Sequence, residues 1–387
     1  MPWNELNLMD NKLLFLADCI RDIMPFSRLC ERYGISRKTG YKWLNRYKEN
    51  QEEGLKELSR RPHSHPFQTP YYVRKKIIDL RTEAYITPGA KKIHEMLIRS
   101  YPDVTPPSVT TIHKILNQAG LVKPCRRKHR IPLHKTSLKP SSEPNELWSV
   151  DFKGEFKLQT GKYCYPLTLM DDNSRYLLGC EGQTTVGHVS TIKTFKRLFK
   201  EHGLPQRIRS DNGAPFASKT VGGLSTLSIW WIRLGIYPER IKPGRPQQNG
   251  KHERMHRTLK AAVSTPIATS LNTMQNRFER FKTEYNNERP HEALNQKTPF
   301  ECYKPSLNQL PKRLPELVYP SYYEVKKIRP SGVFYWKNGQ VYVSHLLDGE
   351  FVGIVEVKDG IYDVYFSFYR LGCIDLESSK DYWTVKV

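Results

Sequence analysis

The stretch Arg245-Pro-Gln-Gln-Asn-Gly-Lys-His-Glu-Arg-Met-His-Arg-Thr-Leu-Lys260 constrains the chain most. Its first half is rich in Pro, Asn and Gly, which hold turns. Its second half sets Met255 and Leu259 on one side, so the segment reads as a loop running into an amphipathic helix. Glu253 is the one carboxylate at the start of that helix. Two earlier segments supply partners. Trp148-Ser-Val-Asp-Phe152 reads as a strand with Asp151 near its end, and Ile208-Arg-Ser-Asp-Asn-Gly213 as a strand entering a tight turn at Asp211. Three carboxylates at two strand ends and one helix start, in a strongly basic chain, suit two Mg2+ ions acting on phosphodiesters.

The charge supports this. With 62 Lys and Arg against 39 Asp and Glu, the 387-residue chain carries +23, more than solubility requires, and a polyanionic partner follows. Nucleic acid is favoured over membrane, because no apolar run approaches the ~18 residues of a span and the N-terminus lacks the regions of a signal peptide. The expected location is the cytoplasm, on the nucleoid when DNA is bound. The seven cysteines are scattered and odd in number, and suggest neither disulfides nor a zinc site.

Before the first acid the chain reads as two all-α helix-turn-helix domains, expected over 1–57 and 71–122. In the first, helices over 11–23 and 25–33 lead through Gly34-Ile-Ser36 to a helix from Arg37 to Tyr47, with Trp43, Leu44 and Tyr47 inward. Arg37, Lys38, Thr39, Tyr41 and Lys42 then face outward, where a recognition helix meets the major groove. In the second, Ser108 caps a helix whose apolar face is Val109, Ile112, Ile115 and Leu116, leaving Thr110, Thr111 and Lys114 as groove candidates. A basic linker over 58–70 offers Arg60 and Arg61 to a minor groove, although a solvated linker is an equal reading. A second linker over 123–143 offers Arg126, Arg127, Lys128 and Arg130 to phosphates.

From 144 to 305 three hairpin-linked strands precede strands that alternate with helices, an α/β order. Asp171 and Asp172 compete with the three acids but sit in a hairpin turn, and Glu239 lies inside a short strand; both positions favour structural roles. From 306 to 387 the pattern turns all-β. The hairpin signals Lys337-Asn-Gly-Gln340 and Lys358-Asp-Gly-Ile361 and about five strands suggest a small SH3-like barrel.

The phrases around the acids resemble integrase-like DDE transposases of bacterial insertion sequences, relatives of retroviral integrases on an RNase H-like fold. The phrases are Trp148-Ser-Val-Asp-Phe-Lys-Gly154, Ser210-Asp-Asn-Gly-Ala-Pro-Phe216, Gly244-Arg-Pro-Gln-Gln-Asn-Gly-Lys-His-Glu253 and Tyr285-Asn-Asn-Glu-Arg-Pro-His-Glu-Ala-Leu294. The resemblance makes Asp151, Asp211 and Glu253 a triad holding two Mg2+ ions, for which Mn2+ can substitute. It implies double-stranded DNA as partner, both element ends and target, cut and joined without a covalent protein intermediate. It also implies a dimer or tetramer on DNA, with an accessory ATPase or target-selection protein left open. Two departures stand out. The separation of Asp211 and Glu253 exceeds the retroviral one, with the extra length expected at 222–226, and no Cys-x-x-Cys zinc module opens the chain.

Arg257 and Lys260 lie four and seven residues beyond Glu253 and share its helix face. They read either as a helix-stabilising ion pair with Glu253 or as contacts to terminal DNA phosphates. Two other functions remain on sequence alone: a transposase-derived DNA-binding regulator without catalysis, and another RNase H-fold nuclease.

Overall fold

The computed structural model describes residues 8–57, 68–123, 138–218, 223–337, 339–376 and 382–385. The chain divides into two compact units, 1–68 and 69–387. Among the described residues no helix is long and apolar enough to cross a membrane.

The first unit holds α1 (Leu8–Ile20), α2 (Phe26–Arg32) and α3 (Arg37–Asn50). α1 stops before the expected residue 23, and Asp22 turns the chain at φ 49°. Gly34 makes the turn at φ +63°, and the Ser36 hydroxyl accepts the Thr39 N–H at 3.2 Å, capping α3 as its sequence position suggests. Phe15, Leu16, Leu29, Cys30, Trp43 and Leu55 form the core. α3 approaches α2 closely at Gly40, where a Cβ would lie 2.7 Å from Cys30 Sγ and 2.9 Å from Phe26.

The second unit begins with another three-helix set, α4 (Tyr71–Thr82), α5 (Ala90–Ser100) and α6 (Val109–Gln118). Ser108 caps α6 by accepting the Thr111 N–H, and Ile77, Ile93, Leu97 and Ile112 are fully buried. This set docks against the domain that follows. Ile86, in the loop after α4, is buried among Met255, Leu259, Phe281 and Tyr285. The Glu284 carboxylate accepts the N–H groups of Tyr85 and Ile86 at 3.1 and 2.7 Å.

The central domain is a mixed sheet ordered β4–β3–β1–β5–β6, built from β1 (Leu147–Phe152), β3 (Tyr163–Asp171), β4 (Leu177–Gln183), β5 (Arg207–Ser210) and β6 (Tyr237–Arg240). The two-residue β2 (Phe156–Lys157) pairs with the start of β3. β1, β3 and β4 are antiparallel, while β1, β5 and β6 are parallel, the order expected of an RNase H-like fold. Side chains alternate across the sheet. Trp148, Val150, Leu167 and Leu169 pack under α7 (His188–His202) and α8 (Thr226–Arg233). Met170 and Cys180 face α9 (Gly250–Val263) and α10 (Leu271–Asn287). Each fully buried apolar side chain contributes about 1.5–3 kcal/mol to holding these layers. α11 (Pro299–Cys302) follows, closed by a Thr298–Glu301 capping box.

The C-terminal region corrects the barrel expected from its hairpins. β7 (Glu324–Lys327), β10 (Phe351–Lys358), β11 (Ile361–Phe366) and β12 (Tyr369–Asp375) form one sheet. β8 (Val333–Trp336), β9 (Gly339–Tyr342) and β13 (Tyr382–Thr384) form another, and no closed barrel joins them among the described residues. The break falls between β7 and β8, where Pro330 has no N–H to offer and Gly332 turns the chain at φ +79°. The Lys358–Ile361 hairpin turns at Gly360, φ +71°, as its sequence suggests. The β8–β9 turn lies one residue earlier than an Asn-Gly turn would put it, since Gly339 already pairs with Trp336. Both sheets share a core with Leu224, Ile229 and Ile232 of the central domain.

Candidate active site

β1 and β5 run parallel with Ser149 opposite Arg209, so Asp151 and Asp211 each lie two residues further along, at the same carboxyl edge of the sheet. Crevices at such edges are where open α/β sheets bind ligands. Asp211 stands just past β5, where its Oδ1 accepts the Gly213 N–H at 3.1 Å. The neighbouring Asn212 side chain donates to Ile241 O at 2.8 Å, tying the turn to the end of β6.

Glu253 reaches this edge because α9 is clamped onto the sheet by a buried polar cluster. Ser149 and Asp151 share one face of β1, and Thr168 faces them from β3 in register with Asp151. His252, fully buried, meets Ser149 Oγ through Nδ1 and Thr168 Oγ1 through Nε2, both at 2.7 Å. His256 Nε2 lies 2.6 Å from the same Thr168 oxygen, which itself donates to Asp151 O at 2.9 Å. Burial pushes His252 down to about 3, and burial with the neighbouring His252 also pushes His256 well down, so both rings are neutral. With the hydroxyl proton given to Asp151 O, both Nε2–H groups donate to Thr168, and His252 Nδ1 accepts from Ser149. His256 Nδ1 then faces Asp151 Oδ2 at 3.7 Å.

The three acids feel one another. Burial first, then the charge of Asp211 and more weakly that of Glu253, push the Asp151 carboxyl up to about 7, against Lys153. The side chains do not converge: among the described residues no three His, Cys, Asp or Glu groups are gathered closely enough to hold an ion as they stand. The donor set nevertheless fits hard divalent cations. It is all carboxylate oxygen, and its mutual repulsion is what a divalent charge relieves.

The rival acids are occupied. Asp171 accepts from Asn145 N, Ser174 N and Ser174 Oγ at 2.6–2.8 Å, which builds the β3–β4 hairpin. Asp172 pairs with Lys251 at 2.5 Å, and Glu239 with Arg207 and Arg209 at 2.7 and 2.5 Å.

In the first unit Arg37, Lys38, Tyr41 and Lys42 are exposed on α3, with Thr39 half-buried at its capped end. Tyr41 also stacks on Phe26 at 4.2 Å. On α6 Thr110 and Lys114 are exposed and Thr111 half-buried. Arg60, Arg61, Arg126, Arg127, Lys128 and Arg130 lie outside the described residues. Arg257 and Lys260 are exposed on α9, and among the described residues neither forms an ion pair with Glu253, so the ion-pair reading of this face has no support. Sequence reasoning missed the histidine clamp. Its only signal was two histidines four apart, on the side of α9 that carries Met255 and Leu259.

Residues 141–246 and 234–299 match models described as integrase core domain. Residues 12–63 match a helix-turn-helix domain and 39–116 a homeodomain-like domain. An uncharacterized protein of insertion element IS407 from Burkholderia multivorans is 25% identical over 215 residues, 55% of this chain and 74% of that protein. One of insertion element IS476 from Xanthomonas euvesicatoria is 26% identical over 207 residues, 53% of this chain and 57% of that protein.

An integrase core spans residues 141–299, and the chain is similar to proteins of bacterial insertion sequences. The core shared with viral proteins is visible too. The Pol polyprotein of feline endogenous virus ECE1 is 33% identical over 124 residues, 32% of this chain and 11% of the polyprotein. Among solved structures, a chain of the simian T-cell lymphotropic virus intasome aligns with TM-score 0.38 and 16% identity over 71% of this integrase-like chain and 97% of its own.

Proposed function

We propose that this protein binds the ends of its element as double-stranded DNA and catalyses metal-dependent 3′-end cleavage followed by strand transfer into target DNA. The observation that carries the reading is the common carboxyl edge: parallel β1 and β5 lead to Asp151 and Asp211, and the clamp on Ser149 and Thr168 holds the first turn of α9, which carries Glu253, against the same sheet. Asp151, Asp211 and Glu253 would together hold two Mg2+ ions; Mn2+ can take the same oxygen ligands. Bound there, the ions supply charge neutralisation at the phosphodiester and activation of the attacking oxygen.

The chain's own residues do the rest. The Thr168–His252–His256 cluster fixes Asp151 and the first turn of α9, which limits how far the acids must move to close on an ion. Arg257 and Lys260, unpaired with Glu253, hold phosphates of the element end beside it. α3 supplies Arg37, Lys38, Thr39, Tyr41 and Lys42 to one groove and α6 supplies Thr110, Thr111 and Lys114 to another; Arg60 and Arg61 enter a minor groove, and Arg126, Arg127, Lys128 and Arg130 lie along phosphates. Cleavage and joining at two ends call for at least a dimer. The nucleoid location belongs to the same proposal. That all three acids are present speaks against a regulator without catalysis.

A supercoiled-plasmid integration assay tests it. Asp151→Asn, Asp211→Asn and Glu253→Gln should each abolish cleavage and joining while leaving DNA binding intact. Near-normal joining by any one of them removes that residue from the triad.

A further inference from the structure

Four cations from four separate elements lie around the paired rings of Tyr285 and His291. Arg175 comes from the β3–β4 turn, Arg254 from α9, Arg289 from the segment after α10, and Lys92 from α5 of the docked helical set. Arg289, Arg175 and Arg254 all act on the Tyr285 phenol, and Lys92, Arg289 and Arg175 all act on His291. The His291 ring meets Tyr285 edge-on at 4.9 Å. Lys92 Nζ donates to Pro290 O, and Arg289 Nη1 to Ile86 O at 3.2 Å. Carbonyls orient these side chains without neutralising them.

The neighbouring acids are committed elsewhere. Glu284 holds the Tyr85 and Ile86 N–H groups, Glu292 pairs with Lys91 at 3.0 Å, and Asp172 with Lys251 at 2.5 Å. Among the described residues none of the four cations forms an ion pair. Arg175 Nη1 and His291 Nε2 are buried with no hydrogen-bond partner. Asp172 near Arg175, Glu284 near Arg289 and Glu292 near Lys92 offset this half-buried charge only in part, and an anion joining the cluster would relieve the remaining repulsion.

We propose that this cluster is a phosphate subsite for duplex DNA, in which Arg254 contacts a phosphodiester and Arg175, Arg289 and Lys92 supply the field behind it. The inference rests on the DNA-processing function proposed above. DNA is favoured over a free small anion by position. Arg254 directly follows Glu253 on α9, and Lys92 stands on α5 beside α6, so a duplex engaged by both the helical set and the acids passes over the cluster. Arg254 is the exposed member and makes the direct contact; the other three raise the local potential from partly desolvated positions, where charge is screened least.

The test uses the full chain, a fluorescein-labelled mixed-sequence duplex of about 30 base pairs, and anisotropy titrations across a range of NaCl. Arg254→Ala should lower the slope of log K against log salt by about 0.9, the loss of one phosphate contact. The melting temperature of the DNA-free protein should stay level or rise, because one of four repelling charges is gone. Arg254→Lys should restore the slope. An unchanged slope in Arg254→Ala overturns the subsite, and so does a slope loss that lysine fails to restore. If inorganic phosphate alone stabilises the wild-type protein, and Arg254→Ala removes that effect without altering the duplex slope, the site serves a small anion and the duplex reading falls. A wild-type chain that binds no duplex at all defeats the proposed function first, and the subsite with it.

Discussion

The two three-helix sets are built alike and held differently. Each ends in a helix capped by a serine, Ser36 or Ser108, and each has a small apolar core. The first closes on itself: its core residues all come from within its own unit, and Lys12 ties α1 back to Leu55 O at 3.1 Å. The second sends Ile86 into the core behind α9 and has its α4–α5 loop gripped by Glu284. A module with a core of its own can serve as a separate DNA reader. A module that shares a core residue with α9 also braces that helix, so sequence alike in pattern does two mechanical jobs.

Calorimetry of the full chain should break or sharpen this contrast. The largest effects are expected in the cores. Trp43→Ala should cost about 3–5 kcal/mol, confined to the transition of the first unit. Ile86→Ala should cost about 2–4 kcal/mol in the transition of the second, although Ile86 lies in a loop. If Ile86→Ala shifts neither transition, the second set is not a brace.

Glu284→Gln comes next. It keeps the shape but loses the charge-assisted acceptor, and should cost about 1–3 kcal/mol. The direct readout is faster hydrogen exchange at the Tyr85 and Ile86 amides, with Thr39 in the first unit unchanged.

The dock should also respond to pH. Burial, reinforced by Arg289 and opposed by Glu292, pushes Lys92 down from 10.5 to about 8. Between those values the unfolded chain binds more protons than the folded one, so stability should rise with pH from about 8 toward 10.5. Lys92→Met should flatten that part of the profile for the second transition and leave the first untouched.

The smallest effect is at the rim. Lys91 and Glu292 pair at 3.0 Å while both are more than half exposed, so Lys91→Ala should change stability by less than about 1 kcal/mol. A larger loss would mean that rim charge, rather than Ile86, carries the dock.

Much of the site was legible because its signals are local. Apolar and β-branched runs ending in Asp151 and Asp211 mark strand ends, and the turn-rich run before Glu253 marks a helix start. The hydrogen bonds that absorb Asp171 and the ion pairs that absorb Asp172 and Glu239 were foreshadowed by their places in a hairpin and a short strand. The clamp was not legible, since Ser149–His252 and Thr168–His256 join residues 103 and 88 apart in the chain. Ile86 was hidden for the same reason: in Ala84-Tyr-Ile-Thr-Pro-Gly89 it resembles an incidental loop residue, and only the pairing of its N–H with Glu284, 198 residues away, reveals its burial. The barrel was over-read because hairpin signals specify pairs of neighbouring strands and say nothing of closure.

The central claim is that Asp151, Asp211 and Glu253 form one divalent-ion site. Calorimetric titration of Mn2+ into the wild-type chain and into Asp151→Asn tests it most directly, because it needs no DNA and no knowledge of the element ends. Saturable binding to the wild type that Asp151→Asn removes, with the melting temperature of the ion-free protein preserved, is the predicted result. Equal binding by both proteins would contradict the account.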